Sequence, residues 1–141
     1  MKISFHYQYP NYRLRNTGSL KRWLEGVIRS NSKITGTISF FLLNDEEIRA
    51  INSEFLEHDY YTDVISFNYS ENEIVNGEIY IGYDTVKLNA TNIDIAFTEE
   101  IRRVLLHGVL HLLGFDDKSE GEIEIMRKLE DKYLEEYRNA F

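Results

Sequence analysis

His107 and His111 lie four residues apart in the segment LLHGVLHLLGFDD (residues 105–117), inside a run that is otherwise apolar. Residues at i and i+4 share one face of a helix, so both imidazoles can aim at a single point. Ile101, Val104, Leu105, Leu106, Val109, Leu110, Leu112 and Leu113 cover nearly the whole circumference of a helix over residues 98–113, and a helix that is apolar all round is a buried one. A buried imidazole needs partners for its ring nitrogens. Gly108, between the histidines, costs about 1 kcal/mol against alanine in a helix interior. Its expected purpose is room for something to approach the backbone beside them. Beyond Gly114 the chain can turn back, and Asp116 or Asp117 can supply a carboxylate. Two imidazoles and one carboxylate leave a fourth position for water, as in catalytic zinc sites; structural zinc is normally closed by four protein ligands. Other divalent ions suit the same donors. A peptidase of the HExxH type has a glutamate directly after the first histidine as general base. Here that place is Gly108, which disfavours such chemistry.

The histidine helix needs a scaffold, and the apolar spacing outlines one. Ile3, Phe5, Tyr7 and Tyr9 alternate as in a half-buried strand. From Ser19, a candidate N-cap, the spacing turns helical through Leu20, Trp23, Leu24, Val27 and Ile28. Residues 34–43 (ITGTISFFLL) predict a second strand. Residues 44–56 predict a helix capped by Asn44, with three acids in the first turn and a stripe of Ile48, Ile51 and Phe55. A third strand is predicted over 63–69, a turn at Asn76-Gly77, and a fourth strand over Glu78–Tyr83. Asp84 can cap a helix over 84–95, Thr98 can cap the histidine helix, and Gly114 is a natural stop. Ser119-x-x-Glu122 is a capping box that opens a last helix with Ile123, Met126, Leu129, Tyr133 and Tyr137 at helical spacing. The fold class expected is α+β. A mixed, roughly four-stranded sheet packs against helices, with the histidine helix buried at the centre and residues 1–141 forming one domain.

Composition bounds the function. The chain has 141 residues, 43% hydrophobic and 28% charged, as in an ordinary globular protein. With no cysteine, disulfides and thiolate metal sites are excluded. No apolar run reaches transmembrane length and MKISFHYQYP has no signal-peptide core, so the expectation is a cytoplasmic protein with no membrane partner. The net charge of −8 argues against indiscriminate nucleic-acid binding over the whole surface. Its distribution is uneven: residues 1–33 carry seven basic side chains against Glu25 alone, while the rest carries nine basic and 23 acidic ones. That basic segment reads either as a solvated helix face and loop or as a footprint for an anionic partner such as RNA, with Arg13 and Arg15 as candidate contacts.

HGVLHLLGFDD resembles the hallmark H-G-x-L-H-L-x-G-x-D-H of the YbeY family, metal-dependent endoribonucleases of ribosomal RNA maturation, and matches every fixed position except the last. INSEFLEHDYYTDVISF (51–67) is similar to that family's L-N-x-x-[YF]-R-x-x-D-x-P-T-D-V-L-S-F, and GEIYIG (77–82) to its G-D-I-x-I-[SC]. The resemblance implies one divalent ion, expected to be zinc, on His107, His111 and, by register, Asp117. It implies single-strand RNA cleavage in maturation of the small-subunit rRNA 3′ end and in ribosome quality control, with the ribosome or its proteins as further partners. Two departures stand out. Asp117 occupies the third ligand's place, lowering the site's charge by one unit and making a bound ion less electrophilic. Leu56 occupies the place of an arginine suited to holding phosphate, and Tyr61 that of a proline. Arg49 or the basic segment would then have to supply the phosphate contact. Asp63 and Ser66 are polar residues within the matched block. They are candidate substrate contacts, or a strand-end cap and an ordinary strand serine. No residue stands out as general base. His6 and His58 read as ordinary, partly exposed histidines. Two alternatives remain: a metal-dependent hydrolase of another substrate, and a non-enzymatic ribosome-associated factor with a structural metal.

Overall fold

The computed structural model describes residues 2–8, 12–56 and 63–141, the side chains of Phe55 and Leu56 excepted. Tyr9, His58, Tyr61 and the side chains of Phe55 and Leu56, singled out above, therefore lie outside what is described. The elements run β1 (Lys2–Tyr7), α1 (Thr17–Ser30), β2 (Ile34–Leu43), α2 (Asp45–Leu56), β3 (Val64–Asn68), β4 (Ile74–Gly82), α3 (Tyr83–Asn92), α4 (Phe97–Leu112) and α5 (Glu120–Ala140). The strands form one sheet in the order β1-β2-β4-β3. β1, β2 and β4 are parallel, and β3 closes the edge antiparallel to β4. The fold is thus α+β with a mixed four-stranded sheet, as expected from the pattern.

Strand alternation sorts the side chains into two layers. Ile38, Phe40, Leu42, Ile79 and Ile81 join the main core with α1, α4 and α5, while Leu43 and Ile65 meet Ile48 of α2 on the opposite face. α4 lies between the sheet and α5, and Val104, Leu105, Leu106, Val109 and Leu110 are all buried. Trp23 of α1 donates its indole N–H to the Tyr133 carbonyl of α5 at 2.9 Å, tying the outer helix down.

Several local expectations are corrected. α1 opens two residues before Ser19, after Asn16 in the left-handed conformation. Asn76-Gly77 is not a turn: β4 runs straight through it. The hairpin reverses upstream, where Asn72 takes φ 55° and Glu71 bridges Ile74. Asn76 instead accepts from the Thr37 N–H at 2.8 Å, beside the irregularity between Thr35 and Ile38. Gly77 admits α4, since a Cβ there would lie 2.5 Å from Leu112. Asp84 does not cap its own helix; it accepts from the Asp45 N–H of α2 at 3.3 Å. Thr98 lies inside α4, whose N-cap position is Ala96. Asn44 does cap α2, exchanging hydrogen bonds with Glu47, and the Ser119–Glu122 capping box is present.

Gly108 also has a different reason from the one expected. A Cβ at this position would meet Ile79 Cγ2 at 2.7 Å, so the glycine lets α4 pack against β4 rather than leaving room for a ligand. Gly108→Ala should therefore destabilise the fold. The overpacking cost, about 1–3 kcal/mol, outweighs the roughly 1 kcal/mol gained in helix propensity, because Ile79 meets the new methyl with two of its carbons. Urea denaturation reads the outcome directly, as a lower midpoint with an unchanged slope.

Candidate metal centre

His107 and His111 project from the last two turns of α4, and Asp117 comes from the loop that follows it. Gly114 makes that loop possible: at φ 102° it turns the chain where other residues would be strained. Asp116 accepts from the Asp117 N–H at 2.9 Å, so its carboxylate is used locally. It is Asp117 that reaches the histidines, its Oδ2 lying 3.3 Å from His107 Nε2 and 3.7 Å from His111 Nε2. The two Nε2 atoms are 3.0 Å apart. Among the described residues this trio is the one group whose ligand atoms converge within 4.8 Å. Donors about 2.0–2.1 Å from a tetrahedral ion stand about 3.3 Å from one another, and the three observed separations bracket that value. The donor set therefore fits a divalent ion held by three side chains.

The histidines are oriented from behind. His107 Nδ1 lies 2.6 Å from Glu130 Oε2, and Glu130, on α5, is only 5% exposed. Its other oxygen accepts from Arg103 Nη1 at 3.1 Å. With Nδ1–H donated to Glu130, the neutral His107 ring turns its Nε2 lone pair toward the point shared with His111 and Asp117. Burial pulls the His107 pKa down, but the hydrogen bond and charge of Glu130 outweigh it, so the net shift is upward. His111 is shifted downward by burial and by His107, which together outweigh Asp117, Asp116 and a hydrogen bond to the Phe115 backbone. Sequence reasoning missed Glu130. The signal was there: it falls four residues after Met126 and three before Tyr133, on the apolar face of α5, where a glutamate has to be explained.

A cleft of about 320 Å³ opens beside the trio, lined by Asp63, Glu100, Arg103, His107, Asp117 and Glu130 together with apolar Val104, Ile123 and Met126. Of the candidate substrate contacts, Asp63 is in it, and burial raises its pKa. Ser66 does not line it; its Oγ is buried without a hydrogen-bond partner on the strand face that carries Val64. Arg49 is on α2, across the sheet. Arg13 lies over the Tyr7 ring, and Arg15 borders a separate cavity.

Glu100 is 6% exposed, and its Oε1 has no hydrogen-bond partner although Arg103 Nε is 3.7 Å away. Burial outweighs that cation and raises the carboxyl pKa. A raised folded-state pKa means stability that is fully present below the unfolded-state value and lost as pH rises through the folded one. Glu100→Gln should therefore raise the melting temperature at neutral pH, and the gain should vanish below the ordinary glutamate range. Melting curves across pH test this.

An α+β protein that brings two histidines of a buried helix and a loop carboxylate into one donor cluster beside a cleft has the makings of a hydrolytic metal site, and comparison with known proteins agrees. The family profile for "Endoribonuclease YbeY" matches residues 8–138. The endoribonuclease YbeY of Bacteroides thetaiotaomicron is 39% identical over 125 residues, 89% of each chain. That of Flavobacterium johnsoniae is 39% identical over 132 residues, 94% of each. The solution structure of TM1509 from Thermotoga maritima superimposes with a TM-score of 0.65 at 27% identity, covering 99% of this chain and 93% of that one. The chain belongs to the endoribonuclease YbeY family.

Proposed function

We propose that this chain is a metal-dependent endoribonuclease that cleaves single-stranded RNA in ribosomal RNA maturation, acting in the cytoplasm as one domain. The observation that carries this reading is the convergence of His107, His111 and Asp117 at the mouth of a cleft, in a chain of this family. Zinc is the ion we assign, because two imidazoles and a carboxylate with an open position suit it. When bound there, a divalent ion polarises a phosphoryl oxygen and activates water. The chain's own residues do the rest. Glu130 holds the His107 ring and Arg103 holds Glu130. Asp63, in the cleft, is the candidate for contacting the substrate's polar groups. Val104, Ile123 and Met126 give the cleft an apolar wall opposite its charged groups. Processing of the small-subunit rRNA 3′ end, ribosome quality control and contact with the ribosome or its proteins belong to the same proposal.

The test is cleavage of single-stranded RNA by purified protein, its loss on chelation and its return on adding zinc back. Hydrolysis of peptides or free nucleotides with RNA left intact would favour a hydrolase of another substrate. Leu56, in the place of the family's arginine, is the feature that gives that second reading its weight.

A further inference from the structure

Behind the metal centre, a second cavity of about 430 Å³ lies between the segment before α1, the start of α4 and the end of α5. Its buried floor is Leu14, Leu20, Ile101 and Tyr137, and its wall is aromatic. Tyr12 meets Phe97 edge-on at 5.4 Å and Tyr83 at 4.9 Å. Two guanidinium groups border it, Arg15 and Arg102. Among the described residues neither is paired with a carboxylate, and no acidic side chain lines the cavity. In a chain of net charge −8, a cavity bordered by two free cations and no anion is not what an average of its surface would give. Arg102 is stacked on Tyr137 at 4.9 Å, which holds its charge in place. Asn16 lies at the rim without capping α1, and the first turn of α1 has no acidic residue, so the helix end adds to the positive potential.

We propose that this cavity is a second RNA contact: it holds one nucleotide of a single strand outside the cleavage cleft, the phosphate on Arg15 and Arg102 and the base against Tyr12 and Phe97. The chemistry required is an anion joined to a flat apolar ring, which is what a nucleotide offers and what arginines beside aromatic rings recognise. The proposal rests on RNA being the substrate. The cavity is separate from the metal cleft. Arg103 turns toward one and its neighbour Arg102 toward the other, and Thr98 and His107 are separated by about 13–14 Å along the helix axis. The contact therefore acts on binding, not on the reacting phosphate, and it gives Arg15 of the basic segment a role.

The experiment measures binding of a fluorescein-labelled single-stranded oligoribonucleotide by anisotropy over a salt series. Wild type is compared with Arg15→Gln/Arg102→Gln and with Phe97→Leu, and metal content and melting temperature are measured for each. The double variant should bind at least about tenfold more weakly at low salt, with the salt slope reduced by about 0.7, because the two arginines together neutralise one phosphate of a single strand. Phe97→Leu should weaken binding by about 5- to 150-fold, the range for loss of one stacked base, with the slope unchanged. Metal content should stay as in wild type. Unchanged affinity and slope in both variants would overturn the proposal. So would adenosine monophosphate occupying the cavity without displacing the oligonucleotide, since the site would then be one for free nucleotides. RNA cleavage by a wild type whose affinity does not depend on Arg15 and Arg102 would leave the proposed activity standing and remove this contact. An oligonucleotide held through these arginines by a protein that cleaves nothing would do the reverse.

Discussion

His111→Ala should abolish metal-dependent RNA cleavage while leaving the chain folded. His111 is partly exposed, with its side chain at 26%, so truncating it opens no sealed cavity in the core. Its loss removes one of the three donors that converge among the described residues. Two remaining ligands, one of them a loop carboxylate, are too few to retain a divalent ion against water at ordinary concentrations. Cleavage should fall to the level of the uncatalysed control, a loss of about three orders of magnitude or more, given what a bound ion supplies to phosphoryl transfer. The melting temperature of the metal-free variant should match that of metal-free wild type within a few degrees. Equal cleavage by variant and wild type would point to a contaminating nuclease and remove the metal mechanism.

Glu130→Gln should weaken the metal without touching it. Glu130 gives one oxygen to His107 at 2.6 Å and the other to Arg103 at 3.1 Å, both as acceptor. A glutamine has only one acceptor oxygen, and its amide N–H groups would face whichever donor it fails to satisfy. Either the His107 ring loses its anchor or Arg103 loses its partner. Loss of an outer-shell carboxylate of this kind typically costs about 10–100-fold in metal affinity, and competition with a chelator should read that drop. Glu130→Ala removes both contacts and should also destabilise the fold. Breaking a buried ion pair costs about 3–5 kcal/mol, and since the Arg103 side chain is 34% exposed, the lower end of that range applies. A purely structural Glu130 would give the stability loss with metal affinity unchanged.

The parts of the fold that repeat along the chain were readable from it. The 3.6-residue spacing of α1, α4 and α5, the alternation of Ile3, Phe5 and Tyr7 in β1, and the Asn44 and Ser119 caps all depend on neighbours within a few positions. The misreadings occur where a distant element decides. Asn76-Gly77 has the composition of a tight turn. In the sheet, Asn76 bonds a strand 39 residues upstream and Gly77 yields to Leu112, so tertiary packing overrides turn chemistry. Asp84 looks like the cap of the helix it precedes and serves the helix of residues 45–56 instead. Gly108 was read as room for a ligand because it stands between two histidines, whereas the crowding comes from Ile79. At the site, the histidine pair was legible because both residues share one helix. Glu130 was not, because it reaches His107 from a helix 23 positions downstream.

Whether His107, His111 and Asp117 hold one metal ion despite the carboxylate in the third place is read by elemental mass spectrometry on protein never exposed to chelator, comparing wild type with Asp117→Ala. The expected result is about one zinc per wild-type chain and a clear loss in the variant, because a third donor is what turns a histidine pair into a site. A wild type that takes up no metal even when zinc is added back would contradict the account. The geometry of the three residues would then be shape inherited without the ion.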